Sequence, residues 1–98
     1  MPAKSGRWRL EGFLEHLDIW IESEQPFDDL RLTVTAWILT SYEDPYQGVQ
    51  RQPDFENLWF GEIPRTRHAG TAVACSYWLY ERTGALRCNS VATLALPF

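Results

Sequence analysis

Hydrophobic residues change their spacing along the chain near residue 44. In residues 8–24 they recur every three or four positions, which is the spacing of one face of a helix. They are Leu10, Phe13, Leu14, Leu17, Trp20 and Ile21. The alternation in residues 7–10 also fits a short edge strand, and the pattern leaves both alternatives open. We expect this first helix to end before Pro26, which cannot continue it.

A second helix is predicted after Pro26, because proline suits the first turn of a helix. Asp28 and Asp29 would lie at its positive N-terminal end, where carboxylates are favoured. Helical spacing continues at Phe27, Leu30, Val34, Trp37, Ile38 and Tyr42. Asp44 precedes Pro45 and is therefore displaced from the helical region, which ends the helix. The short connection between the two helices favours an antiparallel hairpin.

Strand patterns fill the last 40 or so residues. Residues 58–63 form one predicted strand, residues 71–80 alternate as a second, and residues 86–96 form a third. Gly84, which can adopt a positive φ, turns the chain between the last two. The sequence therefore predicts an α+β fold, with an N-terminal two-helix hairpin packed on a C-terminal antiparallel sheet of three to four strands.

Composition narrows the class of protein. The 98 residues suffice for one small domain, so we predict a single domain over residues 1–98 with a loose tail at 1–6. The net charge of −4 argues against direct binding of nucleic acid, because proteins that grip phosphates carry a basic excess. No apolar run reaches about 18 residues, and the N-terminus has no apolar signal core. We expect a cytoplasmic, bacterial protein without a membrane segment.

The two cysteines, Cys75 and Cys88, fall in neighbouring predicted strands. If the hairpin turns around residues 82–84, they are not directly opposite, and a bridge would require Cα atoms within about 7 Å. We therefore expect buried free thiols. No CxxC motif or partner histidine accompanies them, so neither a metal site nor another cofactor is predicted.

Positive charge clusters locally at Arg65, Arg67 and His68. Such a cluster holds a phosphate or an acidic segment of a partner, or it is simply a solvated turn. His68 is the stronger general acid or base of the two histidines, because imidazole titrates near neutrality. Arg82 and Arg87 either extend this patch or lie at the opposite end of the sheet.

Apolar residues offer a second kind of candidate. Tryptophan is enriched in partner surfaces, although any one Trp of the five is more often buried. An apolar helix stripe similarly either docks a partner or forms the core of the domain, and the core is favoured. Glu62 shares one strand face with Phe60 if the alternation holds, or it lies on an exposed face of the sheet.

Three stretches resemble one known family of proteins. They are LEHLDIWI at 14–21, WI at 37–38 followed by DPYQG at 44–48, and NLWF at 57–60 leading to VACSY at 73–77. They are similar to the first helix, to the end of the second helix with its P-x-x-G loop, and to the "l-w" and "y-R-v-x-Y" strands of that family. It is the RelE/ParE superfamily of small bacterial toxins from type II toxin–antitoxin modules. The resemblance implies two helices in a hairpin, then a curved antiparallel sheet.

The resemblance implies a toxin or toxin homologue that acts mainly by binding protein. A cognate antitoxin would be its partner, and gyrase or the ribosome its target. The arginine that ribonuclease members use in the "y-R-v-x-Y" strand falls at Ala74, whereas Tyr77 matches. The last strand ends in LALPF rather than in basic, His or Tyr groups, and the first strand of the family is short or missing.

Two alternatives remain open. One is a ribosome-dependent mRNA endoribonuclease, which needs a base for the 2′-hydroxyl and cations for the developing phosphorane charge. Its candidate catalytic residues are Arg65, Arg67, His68 and Tyr77. The other is a small protein-interaction module unrelated to toxins. The candidate partner-binding residues are Trp59, Arg82 and Arg87.

Overall fold

The computed structural model describes residues 8–40, 43–46 and 48–97. Its elements are β1 (Arg9–Glu11), α1 (Phe13–Glu24), α2 (Asp28–Thr40), β2 (Gln50–Arg51), β3 (Leu58–Glu62), β4 (Thr71–Tyr80) and β5 (Ala85–Ala95). The predicted α+β order, with two helices ahead of the main strands, is confirmed. The predicted tail at 1–6 and Tyr42 lie outside the described residues. Neither helix in the described part of the chain has the length and apolar content needed to cross a membrane.

The sheet differs from the prediction in size and in strand direction. In the described part of the chain it has five strands in the order β1-β5-β4-β3-β2, rather than three to four. β1 is parallel to β5, while the other neighbours are antiparallel, so the sheet is mixed. The two residues of β2 are too few to produce a periodic pattern. The pairing of β1 joins opposite ends of the chain, which a local pattern cannot indicate.

Gly12 separates β1 from α1. Its φ of 76° is left-handed, a conformation that glycine adopts without a steric penalty. The chain therefore turns sharply from the sheet edge into the helix. The strand alternative proposed for residues 7–10 is realised at Arg9–Glu11, and the helix begins at Phe13 rather than near residue 8.

The core lies between the two helices and one face of the sheet. The helices contribute Phe13, Leu17, Trp20, Val34, Trp37 and Ile38, and the two long strands contribute Val73, Cys75, Tyr77, Leu79, Leu86, Cys88 and Val91. Leu14 and Phe27, which were predicted to face this core, are instead 74% and 50% exposed. Leu14 lies about 100° around α1 from Phe13, beyond the arc that the sheet covers.

β4 and β5 form the longest pairing in the sheet, and both cysteines lie on its core side. Cys75 is opposite Val91, and Cys88 is opposite Tyr77. Both thiols are free and buried, as predicted. The contact with Cys88, together with burial, raises the pKa of the Cys75 thiol.

Both thiols should therefore react slowly with a disulfide reagent such as DTNB in the native protein at pH 8. Only the thiolate attacks, and the raised pKa of Cys75 and the burial of both sulfurs oppose that attack. We expect rates at least about tenfold below those of the same chain in denaturant. Stopped-flow labelling in the two conditions measures this ratio. Prompt reaction of either thiol in the native state would contradict the prediction.

Gly61 is buried in β3 where the chain ahead of β2 crosses it. A Cβ atom at this position would lie 2.4 Å from the carbonyl oxygen of Gly48 and 3.0 Å from Cγ1 of Val49. The first of these atoms is backbone and cannot move away as a flexible side chain would. Glycine at 61 thus permits the close approach of two chain segments.

Gly61→Ala should lower the free energy of unfolding by about 2 kcal/mol, because the methyl group forces backbone displacement in a packed region. Urea denaturation of both proteins measures the difference. Gln50→Ala, an exposed change in the neighbouring strand, is the control and should stay within about 0.5 kcal/mol of the parent. Equal stability of all three proteins would show that the segments separate without cost.

Candidate functional site

The predicted cationic cluster lies in the connection between β3 and β4, residues 63–70, here called the cationic loop. Arg65, Arg67 and His68 are all exposed. Arg67 donates through Nε and Nη2 to the two carboxylate oxygens of Glu62 at 2.8 and 3.0 Å, which lowers the pKa of Glu62. The ring of His68 packs edge-on against Phe27 with 5.1 Å between centroids. One of the two arginine charges is therefore already offset by a carboxylate.

A buried hydroxyl fixes the conformation of the cationic loop. Thr66 is 1% exposed, although both of its neighbours are exposed arginines. Its Oγ1 donates to the carbonyl oxygen of Ile63 at 2.7 Å and accepts the amide of Val73 at 3.0 Å. Because Thr66 points inward, the residues on either side of it point to solvent.

Tyr77 lies apart from the cationic loop. It is fully buried on the core side of β4, and its hydroxyl donates to the carbonyl oxygen of Pro45. Burial raises its pKa. Thr71, which follows the cationic loop, is six strand residues away, or roughly 20 Å. The structure therefore brings Arg65, Arg67 and His68 into one loop and does not add Tyr77 to them.

The predicted partner-binding residues are also dispersed. Trp59 is half-buried and packs against the core cluster. Arg82 is exposed in the turn between β4 and β5, and the guanidinium of Arg87 lies 5.7 Å from the ring centre of Tyr80. β4 begins at the cationic loop and ends at this turn, so Arg82 and Arg87 lie towards the opposite end of the sheet. They do not extend the cationic loop.

The face of the sheet away from the helices, here called the open face, carries a polar cluster that the sequence did not reveal. The Ser76 and Ser90 hydroxyls lie 2.9 Å apart, and Asn89 Nδ2 donates to Ser76 Oγ at 3.0 Å. None of these groups titrates near neutrality. Glu62 and Phe60 share this face, as predicted, because they pair with Ala74 and Ser76. These hydroxyl and amide groups are not general bases, and Glu62, a carboxylate on this face, is paired with Arg67.

A cleft of about 480 Å³ opens between the start of α1 and the end of α2. Its lining residues are Leu10, Gly12, Phe13, Leu14, Glu15, Leu17, Thr35, Ile38 and Leu39. The first turns of α1 therefore face the last turns of α2, as in an antiparallel hairpin. Leu14 and Leu39 are 74% and 57% exposed although they line the cleft. The volume is in the range of pockets that bind ligands or side chains.

The chemistry of the cleft suits binding rather than catalysis. Among the described residues that line it, Glu15 is the one that carries a charge. The hydroxyl of Thr35 donates to the carbonyl oxygen of Arg31 at 2.7 Å, so its proton is already used within the helix. Within the described residues, no group of three or more His, Cys, Asp or Glu side chains is arranged to hold a metal ion. The cleft can accept apolar side chains from another molecule.

The sequence signal on α2 was a second apolar pair, Leu32 and Leu39, of which Leu39 lines the cleft. Leu32 and Leu39 are seven positions apart and share a helix face, which is distinct from the face that carries Val34, Trp37 and Ile38. Both leucines are exposed, at 67% and 57%. The helical spacing used to predict α2 includes Val34, Trp37 and Ile38 of the core but neither Leu32 nor Leu39.

Thr66→Val should destabilise the protein by about 1–3 kcal/mol, because the isosteric change leaves the buried amide of Val73 without its acceptor. Urea unfolding gives the free-energy difference. Thr71→Val is the matched control, since it removes an exposed hydrogen bond to the carbonyl oxygen of His68 that water can replace. The two variants should differ clearly, and equal losses would contradict the anchoring role of Thr66.

Comparison with known proteins gives no assignment. No protein-family model, curated protein or solved structure matches the chain. The features that bear on function are the cleft, the open face, the cationic loop and the three resembling sequence stretches.

Proposed function

We propose that this protein is a RelE/ParE-like toxin or toxin homologue of a type II toxin–antitoxin module, and that it acts by binding another protein. The observation that carries the binding role is the apolar cleft between α1 and α2. Leu14 and Leu39 stand exposed at its walls. Burying a leucine-sized side chain against a partner contributes roughly 1.5–3 kcal/mol, so a few such contacts support specific association.

The family attribution is supported by the resembling stretches and by the element order. LEHLDIWI at 14–21 falls within α1, WI at 37–38 lies near the end of α2, and VACSY at 73–77 lies within β4. These parts of the resembling stretches thus have helix or strand where the resemblance implies it. β1, a strand of three residues, precedes the helices, which is consistent with the short first strand that the resemblance allows.

Protein binding is favoured over mRNA cleavage by the positions of the candidate catalytic groups. Tyr77 is buried and its hydroxyl is engaged by a backbone carbonyl, so it has no access to RNA. Arg67 is paired with Glu62. Ala74 stands where ribonuclease members of the family use an arginine. In this proposal the partners are a cognate antitoxin and a protein target such as gyrase, and the site of action is the cytoplasm.

Induced expression of the chain in a bacterial host should arrest growth while total mRNA stays intact. Leu14→Ser/Leu39→Ser should abolish the arrest, because it removes the apolar walls of the cleft without touching the core. Ile19→Ser is the matched control: Ile19 is a 62% exposed residue of α1 that does not line the cleft, and the arrest should persist. Growth curves, soluble protein levels and mRNA integrity are followed together.

Other outcomes of the same experiment distinguish the alternatives. Arrest with mRNA cut at discrete sites would support the endoribonuclease. Normal growth at high soluble expression would contradict a toxin and leave a protein-interaction module. Arrest that survives Leu14→Ser/Leu39→Ser would exclude the cleft as the binding surface.

A further inference from the structure

Glu15 lines the cleft, and further carboxylates follow it along α1. α1 carries Glu15, Asp18, Glu22 and Glu24 but no lysine or arginine. Glu15 lines the cleft, and Asp18 follows Leu14 by four positions, so both lie beside the exposed leucine. Glu22 continues this row one helical turn further. Glu15, Asp18 and Glu22 form no ion pair with any other described residue.

The α2 side lengthens the apolar surface beside the cleft but adds no unpaired positive charge. α2 begins with Asp28 and Asp29, and its single arginine, Arg31, lies 3.7 Å from the Asp28 carboxylate. Leu32 precedes Leu39 by seven positions on the same helix face, which extends the apolar surface by roughly 10 Å beyond the cleft. The helical hairpin thus presents an elongated apolar strip beside unpaired carboxylates.

We propose that the cleft receives a basic amphipathic helix of the partner protein. Leucine-like side chains of that helix enter between Leu14 and Leu39 and continue towards Leu32. Lysine or arginine side chains beside them face Glu15 and Asp18. This inference rests on the proposed function, because it names the chemistry of the partner at the same cleft.

A helix is the occupant that matches the spacing of the strip. Leu32 and Leu39 are two helical turns apart, and side chains at i and i+7 of a partner helix repeat at the same distance. The charge of the partner follows from complementarity. Unpaired carboxylates beside the cleft attract a cationic segment and repel an acidic one, and this selection weakens as salt rises.

Two synthetic helical peptides test the inference on the full chain. They share one leucine heptad stripe and differ only in the flanking residues, which are lysine in one and glutamate in the other. Titration into the isotope-labelled protein at 0.15 M salt should give at least about tenfold tighter binding of the lysine peptide. The chemical-shift changes should concentrate on α1 and α2 around Leu14 and Leu39. Leu14→Ser/Leu39→Ser should weaken this binding about tenfold, and Ile19→Ser should leave it unchanged.

Charge reversal separates a local effect from the net charge of the protein. Glu15→Lys/Asp18→Lys/Glu22→Lys should invert the preference, so that the glutamate peptide binds more tightly. The matched control reverses three exposed carboxylates outside the helices by Glu43→Lys/Asp54→Lys/Glu56→Lys, with the same change in net charge. This control should retain the preference for the lysine peptide.

Several results would overturn the basic partner. These are equal binding of the two peptides, shift changes on the open face instead of the helices, or inversion by the control reversal. Failure of the proposed toxin function can be distinguished from failure of the basic-partner inference. Binding of the lysine peptide in the cleft, with normal growth on expression, would retain the inference and remove the toxin. Growth arrest that requires Leu14 and Leu39, with preference for the glutamate peptide, would retain the cleft and overturn the basic partner.

Discussion

The two-residue alternation of β4 determines what each face of the sheet carries. The residues directed to the helices are Val73, Cys75, Tyr77 and Leu79. The positions between them, including Ser76, belong to the open face. β5 follows the same division through its pairing with β4, with one shift in register between Ser76 and Tyr77. A slip of one residue would move the apolar set into solvent, so burial fixes the register and, with it, the face on which α1 and α2 pack.

Covering that face uses only part of each helix surface. α1 buries Phe13, Leu17 and Trp20, and the indole of Trp20 donates to Thr93 Oγ1 at 2.9 Å. Leu14 is next to this arc but cannot reach the sheet, and Leu39 is placed similarly on α2. Two exposed leucines beside a cleft are therefore a consequence of how the helices meet the sheet. The same geometry that makes the core leaves an apolar surface for another molecule.

The sequence predicts a helix or strand where the hydrophobic periodicity of that segment alone identifies it. The predicted strand at residues 71–80 coincides with β4, because alternation over ten residues has no helical counterpart. The sequence did not predict which side chains of α1 are buried. Phe13 and Leu14 both fit one broad apolar stripe, and only contact with the sheet shows that Phe13 is buried and Leu14 is exposed. Tyr77 was singled out by a motif, whereas the alternation of β4 alone places it with Val73 and Cys75 in the core. Thr66 gave no signal, because the inward direction of a hydroxyl in a polar loop depends on where the fold places the backbone groups of Ile63 and Val73.

The positions of the charged residues say more about a binding partner than the net charge does. The net charge of −4 argued against a phosphate ligand, but it did not indicate where an oppositely charged partner would bind. On the sheet side, Arg67 is paired with Glu62 and Arg87 lies 3.6 Å from Glu11. An anionic ligand would compete with a carboxylate at each of these two arginines, and of the arginines in the cationic loop only Arg65 is left without such a pair among the described residues. On the helices, carboxylates such as Glu15 have no cationic partner among the described residues and stand beside an apolar cleft. A cationic ligand can pair with these carboxylates without breaking an existing ion pair. The distribution of ion pairs, rather than the net charge, is thus what supports the proposed basic partner segment at the cleft.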